Sequence, residues 1–188
     1  MGQVKGLSML GSKTFIGHIA EAMGTVAEEL VLSVGKGGRG VYAQFSKDLE
    51  IVEDQVIGLG PLGGIVSVLE NVHTEFVLFS PCDTPFLTGD MCRLIASYTE
   101  GADGAVPMTG KFYLEPLHGI YRREPALAAF RQIARAGDLS PRHAFGLMNI
   151  SFVPESRLRE IDPELDSFWN INSKDDLELA KRKFESRG

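Results

Sequence analysis

Apolar residues along the chain alternate between two periods, one typical of helices and one typical of strands. Four apolar residues recur at helical spacing near the N-terminus: Ile16, Ile19, Ala20 and Met23. The short apolar run 30–34 follows them, as expected for one αβ unit. The same alternation continues through the chain. It predicts an α/β fold of Rossmann-like type, a mostly parallel sheet with helices on both faces.

The most apolar strand is predicted at Phe76–Phe79. This run is apolar on both faces, which is typical of a central parallel strand covered by helices on each side. The rest of the pattern predicts strands at Ile51–Val52, Gly104–Pro107, His118–Tyr121 and Ile150–Val153, and helices that begin near Pro61, Met91, Glu124 and Asp175. Without an internal repeat or a low-complexity linker, residues 1–188 are expected to form a single domain.

The composition narrows the class of protein. The 188 residues are 44% hydrophobic and 23% charged, with a net charge of −6, a balance typical of soluble globular proteins. The acidic balance argues against nucleic acid as a partner. Two cysteines, Cys82 and Cys92, favour a reduced, cytosolic protein over a disulfide-linked one. The longest uncharged segment, 55–69, is shorter than the roughly 20 residues that span a bilayer, so we expect a cytoplasmic protein without a membrane partner.

Cys82-Asp83-Thr84-Pro85 directly follows the most apolar strand. Asp83 is therefore expected at the carboxyl end of that strand, where open α/β sheets bind ligands. A carboxylate in this position can hold Mg²⁺ while triphosphate oxygens and water complete its shell. Asp is also a common cap residue, and Asp83 could instead cap the helix that begins near Leu87. The residues alone leave both interpretations open.

Two glycine clusters and an N-terminal lysine are further candidates for a phosphate site. Gly60–Ile65 could bring the amides of a helix start close to a nucleotide, or form only a tight turn. Gly35–Gly40 lacks the order of residues found in a P-loop and predicts a flexible loop after a strand. Lys5 could bind phosphate as a point charge or be a solvated surface residue.

Asn170 and Asn172 flank one apolar residue near the C-terminus. In an extended segment both amides project to one side, toward one ligand. The alternative is that both are turn or N-cap residues before the last helix. The four histidines have no metal-ligand spacing with the cysteines, so zinc is not expected.

Taken in order, six motifs of the chain resemble the molybdenum cofactor guanylyltransferases. They are Met1-Gly2-x-x-Lys5, Asp54, Gly60-Pro61-Leu62-x-Gly64, Cys82-Asp83-x-Pro85, Glu115-Pro116-Leu117-x-x-x-Tyr121 and Asn170-Ile171-Asn172-Ser173-x-x-Asp176-Leu177. The resemblance implies a sheet of nucleotide-diphospho-sugar transferase type that binds GTP and Mg²⁺. It also implies transfer of GMP to the terminal phosphate of the molybdopterin cofactor, with release of pyrophosphate.

The resemblance further implies a role for each matching residue. Asp83 would hold the metal and, with Lys5, act in catalysis. The implied nucleotide site comprises Lys5, Gly35, Asp54, Gly60, Pro61, Leu62 and Asp83, whereas Asn170 and Asn172 would lie toward the cofactor substrate. GTP and the molybdopterin cofactor are the expected partners, and molybdoenzyme maturation proteins are further candidates.

The chain departs from the family pattern in two places. The family opens with a strand and a loop of the form Leu-Ala-Gly-Gly-x-Ser-x-Arg-Met-Gly-x-x-Lys, and this sequence begins at its final Met-Gly. We therefore expect the first strand and the phosphate loop to be missing from residues 1–188. Gly35 stands where family members commonly carry an asparagine for the base. Two alternatives follow: a non-catalytic nucleotide- or cofactor-binding homologue, or a sister nucleotidyltransferase that uses CTP with molybdopterin, or a sugar-phosphate or cobinamide-phosphate acceptor.

Overall fold

The computed structural model of this chain describes residues 5–54 and 58–186, so Met1 and Gly2 of the first motif lie outside the described residues. Helices and strands alternate along the chain, which confirms the predicted α/β, Rossmann-like class. The strands and helices are β1 (Met9–Leu10), β2 (Lys13–Thr14), α1 (Phe15–Met23), β3 (Val31–Val34), β4 (Glu50–Glu53), α2 (Pro61–Asn71), β5 (Phe76–Leu78), α3 (Gly89–Ser97), β6 (Gly104–Thr109), β7 (Tyr113–Leu114), β8 (Ile120–Arg122), α4 (Arg123–Arg135), β9 (Ile150–Pro154), α5 (Glu155–Ile161) and α6 (Lys174–Glu185).

The largest sheet combines parallel and antiparallel neighbours. Its order is β5-β8-β6-β7, and β9 pairs with β6 in parallel. The run Phe76–Phe79 was expected to be a central parallel strand, but β5 pairs antiparallel with β8, with Val77 opposite Tyr121. Apolar residues on both faces of a strand report that helices cover it, and they carry no information about the direction of the neighbouring strand.

Helices cover the large sheet on both faces, and alternate strand residues separate into two cores. Val106 and Tyr121 pack with α2 and α4 in one cluster. Ala105 and Ile120, their neighbours along the chain, pack with α3 and α5 in the other. This separation follows from the two-residue period of side chains along a strand. In residues 5–54 and 58–186, none of the helices has the length and apolar content that a transmembrane span requires.

A cleft separates the large sheet from the parallel pair β3–β4. In the described part of the chain, β3 pairs only with β4 and β5 pairs only with β8. Residues of β3 and β5 line a cleft of about 590 Å³, which we call the larger cleft. Ile19 of α1 and Ile65 of α2 also line it. The carboxyl end of β5, which carries the Asp83 turn, therefore lies at this cleft.

Candidate active site

The turn after β5 holds Asp83 through its backbone and its neighbours. Thr84 is fully buried, and its hydroxyl donates to the Pro81 carbonyl at 3.1 Å. The Asp83 carbonyl accepts a hydrogen bond from the Ile171 amide at 2.9 Å. The N-cap of α3 is Thr88, whose hydroxyl accepts from the Met91 amide. Asp83 is therefore not the cap of that helix, and its side chain remains available for a ligand.

Lys5 lies beside Asp83 although 78 residues separate them in the sequence. Its Nζ is 3.4 Å from Asp83 Oδ2 and also donates to the Asn172 side-chain oxygen. The Lys5 side chain is 39% exposed, and an ion pair at such an exposed position contributes little stability. Lys5 can therefore exchange its contact with Asp83 for one with an incoming phosphate. Three residues that the sequence singled out thus meet at one point.

The donor set around Asp83 fits Mg²⁺ better than zinc. The described ranges contain no group of three or more His, Cys, Asp or Glu side chains arranged to hold a metal. Mg²⁺ is commonly held by one or two carboxylates, with water and substrate phosphates as its other ligands. A structural zinc site would need about four protein ligands. The fit is therefore to a metal that arrives with a phosphorylated substrate, and Mg²⁺ itself stays a prediction.

The two asparagines do not cap the last helix. Ser173 is the N-cap of α6, and it forms a capping box with Asp176. Asn170 and Asn172 are exposed on either side of Ile171, which is buried. Asn172 accepts from Lys5, whereas Asn170 lines a second cleft. The segment therefore presents its two amides to neighbouring parts of the site.

Polar groups at the start of α2 form one wall of the larger cleft. Ser33 Oγ donates to Asp54 Oδ1 at 2.6 Å, and both residues line the cleft together with Gly60, Pro61 and Gly64. Gly60 has φ +53, in the left-handed region that favours glycine, and Pro61 opens the helix. A helix N-terminus, a hydroxyl and a carboxylate can together bind a nucleotide. Ser33 was missed at the sequence level, although it is the polar residue in an otherwise apolar strand.

Two of the predicted nucleotide-binding residues, Gly35 and Leu62, do not present a side chain to the larger cleft. Gly35 follows β3, and its carbonyl accepts from the Gly38 amide at 2.8 Å. The Leu62 side chain is fully buried in the core beneath α2 and α4. Leu62 can therefore contribute to a nucleotide site only through its backbone. The nucleotide roles of both residues stay predictions.

A second cleft of about 270 Å³ adjoins the Asp83 turn at Pro81, and we call it the smaller cleft. Pro61 and Pro81 line both clefts, so the two adjoin at this turn. The polar and aromatic residues that line the smaller cleft are Tyr113, Glu115, His118, Ser140, Arg142 and Asn170.

His118 is a buried wall residue of the smaller cleft that the sequence did not single out. Its side chain is 2% exposed, packs edge-on against Phe168, and has Nε2 3.3 Å from Thr84 Oγ1. Because the Thr84 hydroxyl already donates to Pro81, this contact assigns the proton to Nε2 of His118. Burial lowers the pKa of His118 to about 3. His118 is therefore a neutral residue that connects the smaller cleft to the Asp83 turn.

Glu115 is held in the smaller cleft by several contacts. Its Oε1 accepts from Thr109 Oγ1 at 3.1 Å, and its amide donates to the Pro107 carbonyl at 2.9 Å. Its Oε2 is 4.0 Å from His118 Nδ1, which is too long for a hydrogen bond. Burial raises the pKa of Glu115. The carboxylate is thus fixed in position and retains acceptor capacity toward the cleft.

Comparison with known families and sequences gives a consistent result. A family model described as the MobA-like NTP transferase domain matches residues 1–146. The probable molybdenum cofactor guanylyltransferase of Pelotomaculum thermopropionicum is 30% identical over 181 residues, which are 96% of this chain and 85% of that protein. The probable molybdenum cofactor guanylyltransferase of Methanothermobacter thermautotrophicus is 32% identical over 187 residues, with 95% and 91% covered.

Two solved structures share the fold at lower identity. The molybdopterin-guanine dinucleotide biosynthesis protein A of Archaeoglobus fulgidus has a TM-score of 0.81 at 24% identity, over 98% of this chain and 92% of that one. The 2-C-methyl-D-erythritol 4-phosphate cytidylyltransferase of Thermus thermophilus has a TM-score of 0.71 at 15% identity, over 98% and 94%. At these identities the likeness concerns the fold.

Proposed function

Because this chain belongs to the family of MobA-like NTP transferase domains, and so is a nucleotidyltransferase, we propose that it transfers GMP from GTP to the phosphate of the molybdopterin cofactor. The observation that carries the proposal is the meeting of Lys5, Asp83 and Asn172 in the turn that follows Pro81, a residue that lines both clefts. Cys82, next to Asp83, lines the larger cleft, and Asn170, two residues before Asn172, lines the smaller one, so a nucleotide and an acceptor in these clefts would both lie near this group.

The proposed reaction is an in-line displacement at the α-phosphorus of GTP. An oxygen of the acceptor phosphate forms a bond to this phosphorus, and the bond to the bridging oxygen of the β-phosphate breaks. Pyrophosphate leaves with that electron pair. Such a transfer needs positioning and neutralisation of charge more than covalent participation of the protein.

Each site residue has a distinct part in this proposal. Lys5 would bind the triphosphate and offset its developing charge, while Asp83 would hold Mg²⁺. Mg²⁺ held there would supply positive charge that stabilises the negative charge building on the phosphates. Ser33, Asp54 and the start of α2 would hold the nucleotide in the larger cleft.

Thermal stabilisation by nucleotides tests the proposal. The purified chain is heated with each of the four nucleoside triphosphates, with and without Mg²⁺. A ligand that binds the folded state raises the melting temperature by mass action. We expect stabilisation by GTP that depends on Mg²⁺, and release of pyrophosphate when the acceptor cofactor is added.

The other outcomes separate the alternatives. Mg²⁺-dependent stabilisation by CTP in place of GTP would indicate a sister cytidylyltransferase. Stabilisation by the acceptor cofactor alone, without Mg²⁺-dependent affinity for any triphosphate, would indicate a non-catalytic binding homologue. Either result would contradict guanylyl transfer by this chain.

A further inference from the structure

The smaller cleft contains a fixed carboxylate that the proposed chemistry does not use. We propose that Glu115 binds the 2-amino and N3–H groups of a pterin ring, and so selects the acceptor by its heterocycle. This inference rests on the proposed function, since it assigns the acceptor ring to the smaller cleft.

The geometry around Glu115 favours a ligand that donates hydrogen bonds. Thr109 occupies one side of Oε1, while Oε2 is 4.0 Å from His118 Nδ1 and makes no hydrogen bond with it. The two oxygens of a carboxylate can accept from two parallel N–H groups. A pterin presents such a pair in its 2-amino group and its N3–H, side by side on one edge.

His118 also favours a ligand that donates to Glu115, because His118 itself supplies no donor to this carboxylate. Its ring is buried and neutral, and its Nε2 proton is directed to Thr84. Nδ1 has no hydrogen-bond partner among the residues that the structure describes. On the His118 side, Oε2 therefore faces an acceptor. Arg142 acts on Glu115 through its charge, and Oε2 can still accept from an outside donor.

The smaller cleft also offers a flat surface for a ring. Tyr113 is 53% exposed, and the guanidinium carbon of Arg142 lies 4.5 Å from the centroid of its ring. Aromatic rings and guanidinium groups both stack on planar heterocycles. The cleft volume of about 270 Å³ lies just below the range of drug-sized sites, and suits a fused two-ring system.

Guanine carries the same two donors as pterin, an amino group and the adjacent ring N–H. The position of the smaller cleft relative to the nucleotide residues indicates which of the two rings Glu115 would bind. The predicted nucleotide residues Asp54, Gly60 and Pro61 line the larger cleft, whereas Glu115 and Asn170 line only the smaller one. The two clefts meet at Pro61 and Pro81, beside the turn that carries Asp83. With the nucleotide in the larger cleft, the ring at Glu115 belongs to the acceptor.

The test compares two pteridines that differ at one position. Pterin and lumazine, in which oxygen replaces the 2-amino group, are titrated calorimetrically against the wild-type chain, Glu115→Gln and Glu124→Gln. Glu124 is an exposed glutamate at the start of α4 and serves as the matched control. We expect the wild type and Glu124→Gln to bind pterin at least about ten-fold more tightly than lumazine.

Glu115→Gln is expected to reverse this preference, because a Gln amide accepts from N3–H and donates to the 2-oxo group of lumazine. A purely structural role for Glu115 would weaken both ligands equally. Equal binding of the two pteridines by the wild type, or an unchanged preference in Glu115→Gln, would overturn the inference. A loss of discrimination between GTP and ITP in Glu115→Gln would also overturn it, since Glu115 would then bind guanine.

The same variants separate this inference from the proposed function. Glu115→Gln should keep Mg²⁺-dependent stabilisation by GTP, which also shows that the variant is folded. If GTP binding and transfer occur but the pterin preference is missing, only the inference fails. If pterin binds as expected but no triphosphate does, only guanylyl transfer fails.

Discussion

The two clefts that adjoin at Pro81, two residues before Asp83, are built in different ways. Edges of β3 and β5, which make no ladder with each other, and the apolar sides of α1 and α2 line the larger cleft. The walls of the smaller cleft are fixed to the core: Tyr121 is fully buried and its hydroxyl donates to the Pro116 carbonyl at 2.7 Å. Substitutions in the larger cleft should therefore change mainly binding, and those in the smaller cleft should also change stability.

Asp83→Asn should have the largest effect, because Asp83 is the proposed ligand of the metal and follows Pro81, which lines both clefts. A catalytic metal contributes several kcal/mol to the stabilisation of a transition state, and each 1.4 kcal/mol is a factor of about ten in rate. We expect guanylyl transfer to fall by at least about 1,000-fold and Mg²⁺-dependent stabilisation by GTP to disappear. The measurement is pyrophosphate release alongside thermal melting without ligand, which should be unchanged.

Asp90→Asn is the matched control for this change. Asp90 is an exposed carboxylate in the first turn of α3, paired with Arg93 on the surface. Its loss should leave transfer at the wild-type rate. Substantial turnover with GTP in Asp83→Asn would contradict the assignment of Asp83 as the metal ligand.

His118→Asn should have the next largest effect, this time on stability, because it acts on the fixed wall of the smaller cleft. The substitution removes a buried ring that packs on Phe168 and contacts Thr84. Loss of such packing together with a buried hydrogen bond lowers the free energy of unfolding by about 3 kcal/mol. Denaturant unfolding of the variant and of His73→Asn, which alters an exposed histidine, measures the difference.

The wild type and His118→Asn should also differ in the pH dependence of their stability, with a known sign. The pKa of His118 is lowered by burial to about 3 in the folded state, against about 6.5 when unfolded. The unfolded state therefore binds more protons in this range. The contribution of His118 is complete above about pH 6.5 and is lost as pH falls toward 3, by at most about 1.4 kcal/mol per pH unit.

In His118→Asn, the free energy of unfolding should no longer show this part of its dependence on pH. Burial raises the pKa of the facing Glu115, which acts in the opposite direction, but Glu115 is present in both proteins. The difference between the wild type and His118→Asn in free energy of unfolding against pH therefore measures the contribution of His118. Parallel curves for the wild type and His118→Asn would show that the His118 ring is not buried in its neutral form.

Local patterns predicted those features that depend on local contacts. Helical spacing and Pro61 located α2, and an apolar run followed by Cys82-Asp83 located the turn at the end of β5. The roles of Ser33 and His118 depend on partners 21 and 34 residues away, Asp54 and Thr84. The spacing of apolar residues does not reveal which distant residues come into contact. For the same reason it could not predict that β5 pairs with an antiparallel neighbour.

Gly64→Ala should act on the larger cleft alone. A Cβ at Gly64 would lie 3.1 Å from Ser33 Oγ, so this hydroxyl, which donates to Asp54 Oδ1, must shift by a few tenths of an ångström. We expect the dissociation constant of GTP with Mg²⁺ to rise about ten-fold, or about 1.4 kcal/mol, with the binding of pterin unchanged. Alanine is a better helix former than glycine, so the fold should not weaken.

Gly40→Ala is the control for added bulk, since a Cβ there would meet nothing within 4 Å. Calorimetric titration of both variants with GTP and with pterin gives the comparison. Weaker pterin binding in Gly64→Ala would contradict the separation of the two clefts. Unchanged GTP affinity would show that the pair formed by Ser33 and Asp54 does not face the nucleotide.

Ser173→Ala should have the smallest effect, because it removes only the N-cap of α6, which follows Asn170 and Asn172. Loss of an N-cap hydroxyl lowers the free energy of unfolding by about 1 kcal/mol. Asp176 Oδ2 still accepts from the amides of Asn172 and residue 173, and Ile171 still donates to Asp83. We therefore expect lower stability with unchanged transfer, whereas Ser97→Ala, at the exposed end of α3, should change neither. Reduced transfer in Ser173→Ala at full occupancy by GTP would instead mean that the cap itself positions Asn172 against Lys5.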